Sequence, residues 1–366
     1  MKGDTMPWHR SRLPLRRGGS PSRRRLATAI ALLVAAGPVT ACGTSTSNAS
    51  PVDAEDCASG MGKVGYVPRL GTDPYMIKVR DSAMATAAKI GGSVVYTSPD
   101  NVSGPAQIPL VNQLIKQGVC VIAIAGNDLN STAAAFAVAR AAGIKVLSWD
   151  SDIAVSRRAV FINPVNAEEL SEKLLGSMKQ MLGPAGGDFA ILSSTPTAVN
   201  QSAWVAGMEQ RLATDASLQN MSLLTVVYGQ ENADISAEQV KALVQAYPNL
   251  RGIIVPDGIG LAAAARTLSQ IGLLGEVKLT GLGPAMELRR YIEAGTVQDL
   301  WWNVTELGAL SYYAAQALAM GKITGVPGET FEAGALGTFT IGDRGEVTLG
   351  PAQLVTPRNV DSFVAY

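Results

Sequence analysis

The chain has 366 residues with 30 Lys+Arg against 30 Asp+Glu, one histidine, three cysteines and 47% apolar residues. The balance is uneven along the chain: residues 1–41 hold eight of the bases and one acid, Asp4, so the remainder carries 22 bases against 29 acids, a formal −7. An acidic body lacks the basic footprint that nucleic acid requires, and because His9 lies in the basic start, the rest has no imidazole for a triad, a proton shuttle or a zinc site. No cofactor and no metal are expected.

At the start, Arg16, Arg17, Arg23, Arg24 and Arg25 precede an apolar run from Leu26 to Ala36, followed by Val39-Thr40-Ala41-Cys42. A basic segment, a short apolar stretch and small residues before a cysteine make an export signal over residues 1–41, with Cys42 as the lipid-attachment point. The run is about half of the roughly 20 residues a spanning helix needs, so a permanent transmembrane anchor is disfavoured. Ser22-Arg23-Arg24-Arg25-Leu26 also looks like a twin-arginine signal, which leaves the export route open. The expected location is the outer face of the cytoplasmic membrane, held there by lipid.

Gly43 to Pro51 are small and polar, with too little apolar surface to fold, and residues 42–60 are expected to be a flexible tether. With Cys42 lipidated, Cys57 and Cys120 are the remaining intrachain pair in an oxidising location. The alternatives are a disulfide between strand starts that lie side by side, or two buried thiols. The remaining length, about 300 residues, exceeds what one core usually serves, so two lobes are expected.

Short β-rich runs then alternate with Ala-rich helical patterns. Strands are predicted at Lys63–Val67, Ser93–Thr97, Val119–Ala125, Lys145–Trp149, Ala159–Ile162, Asp188–Ser193, Leu223–Tyr228, Gly252–Val255, Lys278–Gly281 and Asp299–Trp302. The intervening helices run from Pro74–Ile90 to Ala285–Ala294, with a late helix at Leu307–Met320 and strand-like pieces at Gly337–Ile341 and Glu346–Leu349. This alternation specifies an α/β fold of parallel sheets covered on both faces.

In open α/β sheets ligands collect beyond the C-terminal ends of strands, and those positions carry chemistry here. Arg69 and Tyr75 follow the first strand, Asp150 and Asp152 the fourth, Asn200 and Gln201 the sixth, Pro256-Asp257-Gly258 the eighth, and Trp302-Asn303 close the last. Arg, Asp, Asn and Gln bracket hydroxyls with directional hydrogen bonds, while Tyr75, Trp149, Trp204 and Trp302 offer flat faces to a sugar ring. Each residue has a plainer reading: tryptophans at strand ends pack cores, Asp150 and Asp257 cap helices, and Arg69 makes a surface ion pair. Their convergence at several strand ends favours a binding site.

Val64 to Gly71, Val146 to Asp152, Ser194 to Trp204, Ile253 to Asp257 and Leu349 to Phe363 together resemble type I periplasmic solute-binding proteins of ABC importers, within the rhamnose-binding and autoinducer-2-binding group. The resemblance spans nearly all of the domain. It implies two similar doubly wound lobes joined by crossing strands, residues 62–162 plus 304–342 and residues 163–303 plus 343–366, closing on a sugar-sized solute. It also implies a binding protein rather than an enzyme, an ABC permease as partner and a monomeric receptor. Carried over residue by residue, the pocket falls on Arg69, Asp150, Asn200, Gln201, Pro256 and Gly258, with Asn303 and Tyr75 suggested by the wider sugar-binding family and Asp257 beside them. Autoinducer-2 receptors have Lys where Arg69 stands and Asp where Asn200 stands, which shifts ligand identity and favours a rhamnose-like deoxyhexose. The implied crossings are near residues 159–164, 303–305 and 342–346.

Other readings remain. Gly60-Met61-Gly62-Lys63-Val64-Gly65 spells a dinucleotide fingerprint, but it precedes a strand instead of following one. A secreted carbohydrate-active enzyme would use Asp150, Asp152 and Asp257 as carboxylates. A ligand-sensing lipoprotein would share the pocket and differ only in its partner.

Overall fold

The computed structural model describes residues 52–363. The basic leader, Cys42 and most of the expected tether lie outside the described residues.

The expected tether ends earlier than residue 60. Residues Ala54–Ser59 form a helix, α1, because the Asp53 carboxylate accepts from the N–H groups of Glu55 and Asp56 and Gly60 closes the turn in the left-handed region. Cys57, on this helix, is disulfide-bonded to Cys120 with a Cα–Cα separation of 5.6 Å. Gly62 fits where a side chain could not, since a Cβ there would lie 2.2 Å from the Cys120 sulfur.

In the first lobe, β1 (Lys63–Val67), β2 (Ser93–Tyr96), β3 (Val121–Ile124), β4 (Lys145–Trp149) and β5 (Val160–Asn163) alternate with α2 (Pro74–Lys89), α3 (Gly104–Lys116) and α4 (Ala133–Ala141). The second lobe repeats the plan. Its helices are α5 (Ala167–Leu182), α6 (Val199–Thr214), α7 (Ala233–Ala246), α8 (Gly258–Gln270) and α9 (Ala285–Glu293), and its strands are β6 (Gly187–Ser193), β7 (Met221–Tyr228), β8 (Leu250–Val255), β9 (Lys278–Leu282) and β10 (Val297–Trp301). The chain then returns: α10 (Val304–Ala319) packs on α2 and against the first sheet. A hairpin of β11 (Thr330–Glu332) and β12 (Thr338–Thr340) follows, with Phe331 stacked on Phe339.

Strand order in the first sheet is β2-β1-β3-β4-β5-β13, where β13 is Glu346–Thr348, and every pairing in it is parallel. The second is β7-β6-β8-β9-β10-β14, where β14 is Gln353–Val355 and only the β10–β14 pairing is antiparallel. Central strands are apolar on both faces, as in β3 where all four residues are buried. The chain crosses between lobes after β5 and after β10. The third crossing differs from the expectation at residues 342–346 and from a second-lobe assignment beginning at 343. Val347 is buried and β13 pairs with Phe161, Ile162 and Asn163 of β5, so the crossing falls between Thr348 and Gln353.

Candidate functional site

Each sheet has one place where the strand order reverses, between β1 and β3 in the first lobe and between β6 and β8 in the second. Loops leaving neighbouring strands there diverge to opposite faces and open a crevice. A cavity of about 470 Å³ lies where the two crevices meet, a volume suited to a small solute. Its lining includes Arg69, Tyr75 and Asp150 from the first lobe and Asn200, Gln201, Trp204, Pro256, Asp257 and Gly258 from the second, with Trp302 at a crossing.

Local structure aims these groups. Asp73 caps α2 by accepting from the Tyr75 N–H at 2.9 Å, with Pro74 in the first helical turn, and this places Tyr75 on the cavity wall. Asp150 sits in a tight turn at φ +60°, a conformation Asp tolerates better than most residues. Its N–H donates to the Ile162 carbonyl at 3.0 Å while the Ser151 N–H folds back to the Trp149 carbonyl, and the carboxyl accepts from the Tyr75 hydroxyl at 2.6 Å. The indole N–H of Trp302 donates to the same hydroxyl at 3.0 Å, with the two rings edge to face. Asp257 both caps α8, accepting from the Gly260 N–H at 3.1 Å, and lines the cavity.

Arg69 is almost wholly buried. Its Nε donates to Glu231 Oε1 at 3.0 Å, Nη2 reaches Glu231 and Ser194, and Nη1 reaches Ser151. Glu231 and Ser194 belong to the second lobe, so the surface ion pair of the plainer reading is instead an interlobe bridge. The loop that carries Arg69 is held from behind by Gln107, whose amide donates to the carbonyls of Pro68 and Ala125, and by Asn127, which donates to the Arg69 carbonyl.

Burial dominates the electrostatics. It pushes the Asp150 carboxyl up to about 6, against the opposing pull of the Tyr75 hydrogen bond and the Arg69 charge. Asp257 is raised to about 7 by burial and then by the Glu231 charge; Asp73 stands well above the usual range for the same two causes. Burial also works against the Arg69 charge, but Glu231, Asp150 and Asp257 outweigh it and hold the guanidinium firmly protonated.

Three sequence-level candidates lie elsewhere. Asn303 caps α10, accepting from the Glu306 N–H at 3.1 Å, and is not part of the cavity lining. Trp149 is buried against Tyr66 behind the site. Asp152 is turned away into a bidentate pair with Arg158 at 2.6 and 2.7 Å, which removes it as an available second carboxylate. Sequence reasoning missed Glu231, whose turn Gly229-Gln230-Glu231-Asn232 looks like an ordinary lead into α7. The only signal is conformational: Gln230 and Glu231 both take positive φ, a strain that concentrates at functional sites.

Two doubly wound lobes closing on a solute-sized polar and aromatic crevice define a two-lobed binding protein. Residues 64–323 match the periplasmic binding protein domain family, to which the chain belongs. That family comprises extracytoplasmic substrate-binding proteins rather than enzymes. Among solved structures, a sugar ABC transporter protein from Actinomyces odontolyticus is 33% identical, with a TM-score of 0.68, over 83% of this chain and 98% of its own. An ABC transporter solute-binding protein from Clostridium phytofermentas with bound L-rhamnose is 32% identical, with a TM-score of 0.79, over 82% and 98%. LsrB from Clostridium saccharobutylicum, in complex with AI-2, shares the fold at 21% identity and a TM-score of 0.77, over 82% and 99%.

Proposed function

We propose that this protein is the extracytoplasmic receptor of an ABC sugar importer, anchored by lipid at Cys42, that takes a rhamnose-like deoxyhexose into the interlobe cavity and delivers it to a permease. The supporting observation is the composition of the cavity wall. Tyr75, Asp150, Asn200, Gln201 and Asp257 offer directional polar groups, Trp204 and Trp302 offer ring faces, and Met76, Ile259, Ala262, Leu282 and Leu300 provide an apolar side. A 6-deoxy sugar needs that division, with hydroxyls matched on one side and C–H groups with a methyl on the other. The one-third identity to a protein seen with L-rhamnose points the same way.

Binding then works through differential contact. A ligand that touches both lobes favours the closed form over the open one, and the closed form is what a permease reads. A lipid tether would raise the receptor's effective concentration at the membrane.

Titration calorimetry with L-rhamnose, L-fucose, D-ribose, glycerol and AI-2 tests this reading. L-Rhamnose is expected to bind most tightly. Tightest binding of AI-2 would make the protein a signal receptor, and failure of every sugar and polyol to bind would refute the sugar reading.

A further inference from the structure

Arg69 would ordinarily make a cavity attractive to a carboxylate or phosphate, because a guanidinium forks onto two anionic oxygens. Here most of that capacity is occupied: Glu231, Ser194 and Ser151 take four of its five N–H groups, and the Glu231 carboxylate neutralises its charge. The other basic residue in the lining, Arg266, is at the exposed rim and is ion-paired with Glu287. Against these stand the carboxyls of Asp73, Asp150 and Asp257 beside Glu231. Among the lining residues, the buried side-chain atoms without a hydrogen-bond partner are Glu231 Oε2 and Gln201 Oε1, both acceptors, and the uncharged donor Trp301 Nε1, so none adds a positive charge to the wall. Glu231 and Gln201 are each 6% exposed. Burial and then the Glu231 charge already hold the Asp73 and Asp257 carboxyls above their ordinary range, so a further anion would enter an unfavourable field.

We propose that Glu231 sets the charge selectivity of the cavity: by neutralising Arg69 from the other lobe, it restricts binding to solutes that carry no anionic group. Sugar acids and phosphorylated sugars are excluded even though an arginine lies in the wall. This rests on the sugar-binding reading and adds to it a residue and a rule of exclusion. Because Arg69 and Glu231 come from different lobes, the same pair bridges the closed cleft, and selectivity is built into closure itself.

The test uses the full-length protein and two probes that differ at one carbon: L-rhamnose, and L-mannuronate, which has a carboxylate in place of the methyl. The wild type is expected to bind L-mannuronate about 100-fold or more weakly than L-rhamnose. Glu231→Gln keeps the shape and removes the charge, and should narrow that ratio by about 10-fold or more because the Arg69 charge is no longer neutralised and can attract the ligand carboxylate. Adding Arg69→Met should abolish the gain. A wild type that binds both probes within about 10-fold overturns the proposal without reference to any variant. An unchanged ratio in a folded Glu231→Gln protein also overturns it. Binding of neither probe by the wild type, with a different uncharged solute binding instead, refutes the rhamnose assignment; the selectivity rule is then tested with that solute's own carboxylate analogue, and fails if the two bind alike.

Discussion

Replacing Asp150 by Asn tests the electrostatics of the cavity most directly, because the change is isosteric and the amide oxygen can still accept from the Tyr75 hydroxyl. In the folded protein this carboxyl is pushed from 3.8 up to about 6, mainly by burial. A raised carboxyl favours the folded state when protonated, so the stabilisation is fully present below 3.8 and is lost as pH rises through about 6. A shift of about 2 units corresponds to about 3 kcal/mol, and with an unfolding entropy of about 2 cal/mol/K per residue this amounts to about 4–5 °C in melting temperature for a chain of this size. Asp257, raised to about 7 by burial and Glu231, acts in the same direction. Carboxyls held low, such as Asp128 with its Ser131 hydrogen bonds, lose their contribution only in more acid solution. The ligand-free wild type should therefore melt higher at pH 5 than at pH 8. Asp150→Asn should lose part of that slope, the rest staying with the raised carboxyls of Asp257, Asp73 and Asp299, and should match the wild type only below about pH 4 while exceeding it at pH 8. Scanning calorimetry across that range measures it. An Asp150→Asn slope identical to wild type, or a wild type that gains stability as pH rises, would refute the reasoning.

Two further changes probe the two ends of the first lobe. Tyr75→Phe deletes the hydroxyl that donates to Asp150 and accepts from Trp302, leaving a buried carboxyl and an indole N–H short of a partner; L-rhamnose affinity should fall by about 10-fold or more in calorimetric titration, and an unchanged Kd would place the ligand elsewhere. Cys57→Ser with Cys120→Ser opens a crosslink spanning 63 residues, which should cost about 4 kcal/mol and lower the melting temperature by about 6 °C. Because Cys120 precedes β3 while the cavity lies beyond the C-terminal strand ends, L-rhamnose affinity should not move; a large loss of affinity would show that the crosslink shapes the site.

Much of the cavity could be read locally. Tyr75, Asp150, Asn200, Gln201, Pro256, Asp257 and Gly258 each follow a recognisable strand, and a parallel sheet delivers all such loops to the same end. The readings that changed depended on partners far along the chain. Asn303 has the same local context as its neighbour Trp302, yet its side chain turns to the Glu306 N–H while Trp302 faces Tyr75. Asp152 lies two residues from Asp150, but Arg158 holds it away from the cavity. Helix α1 was too short to show periodicity, and only a cap and a disulfide reveal it.

The alternation of strand and helix, the α/β class and most of the loops that meet at the cavity are legible in the residues alone, because hydrophobic period and strand-end chemistry are local properties. Tertiary structure decided which charges meet. Arg69 and Glu231 are 162 positions apart, and no local pattern marks Glu231 as the group that neutralises an arginine in the other lobe. Their pairing depends on how two separately folded sheets face each other, and that approach sets a carboxylate of one lobe against the arginine buried in the wall of the other.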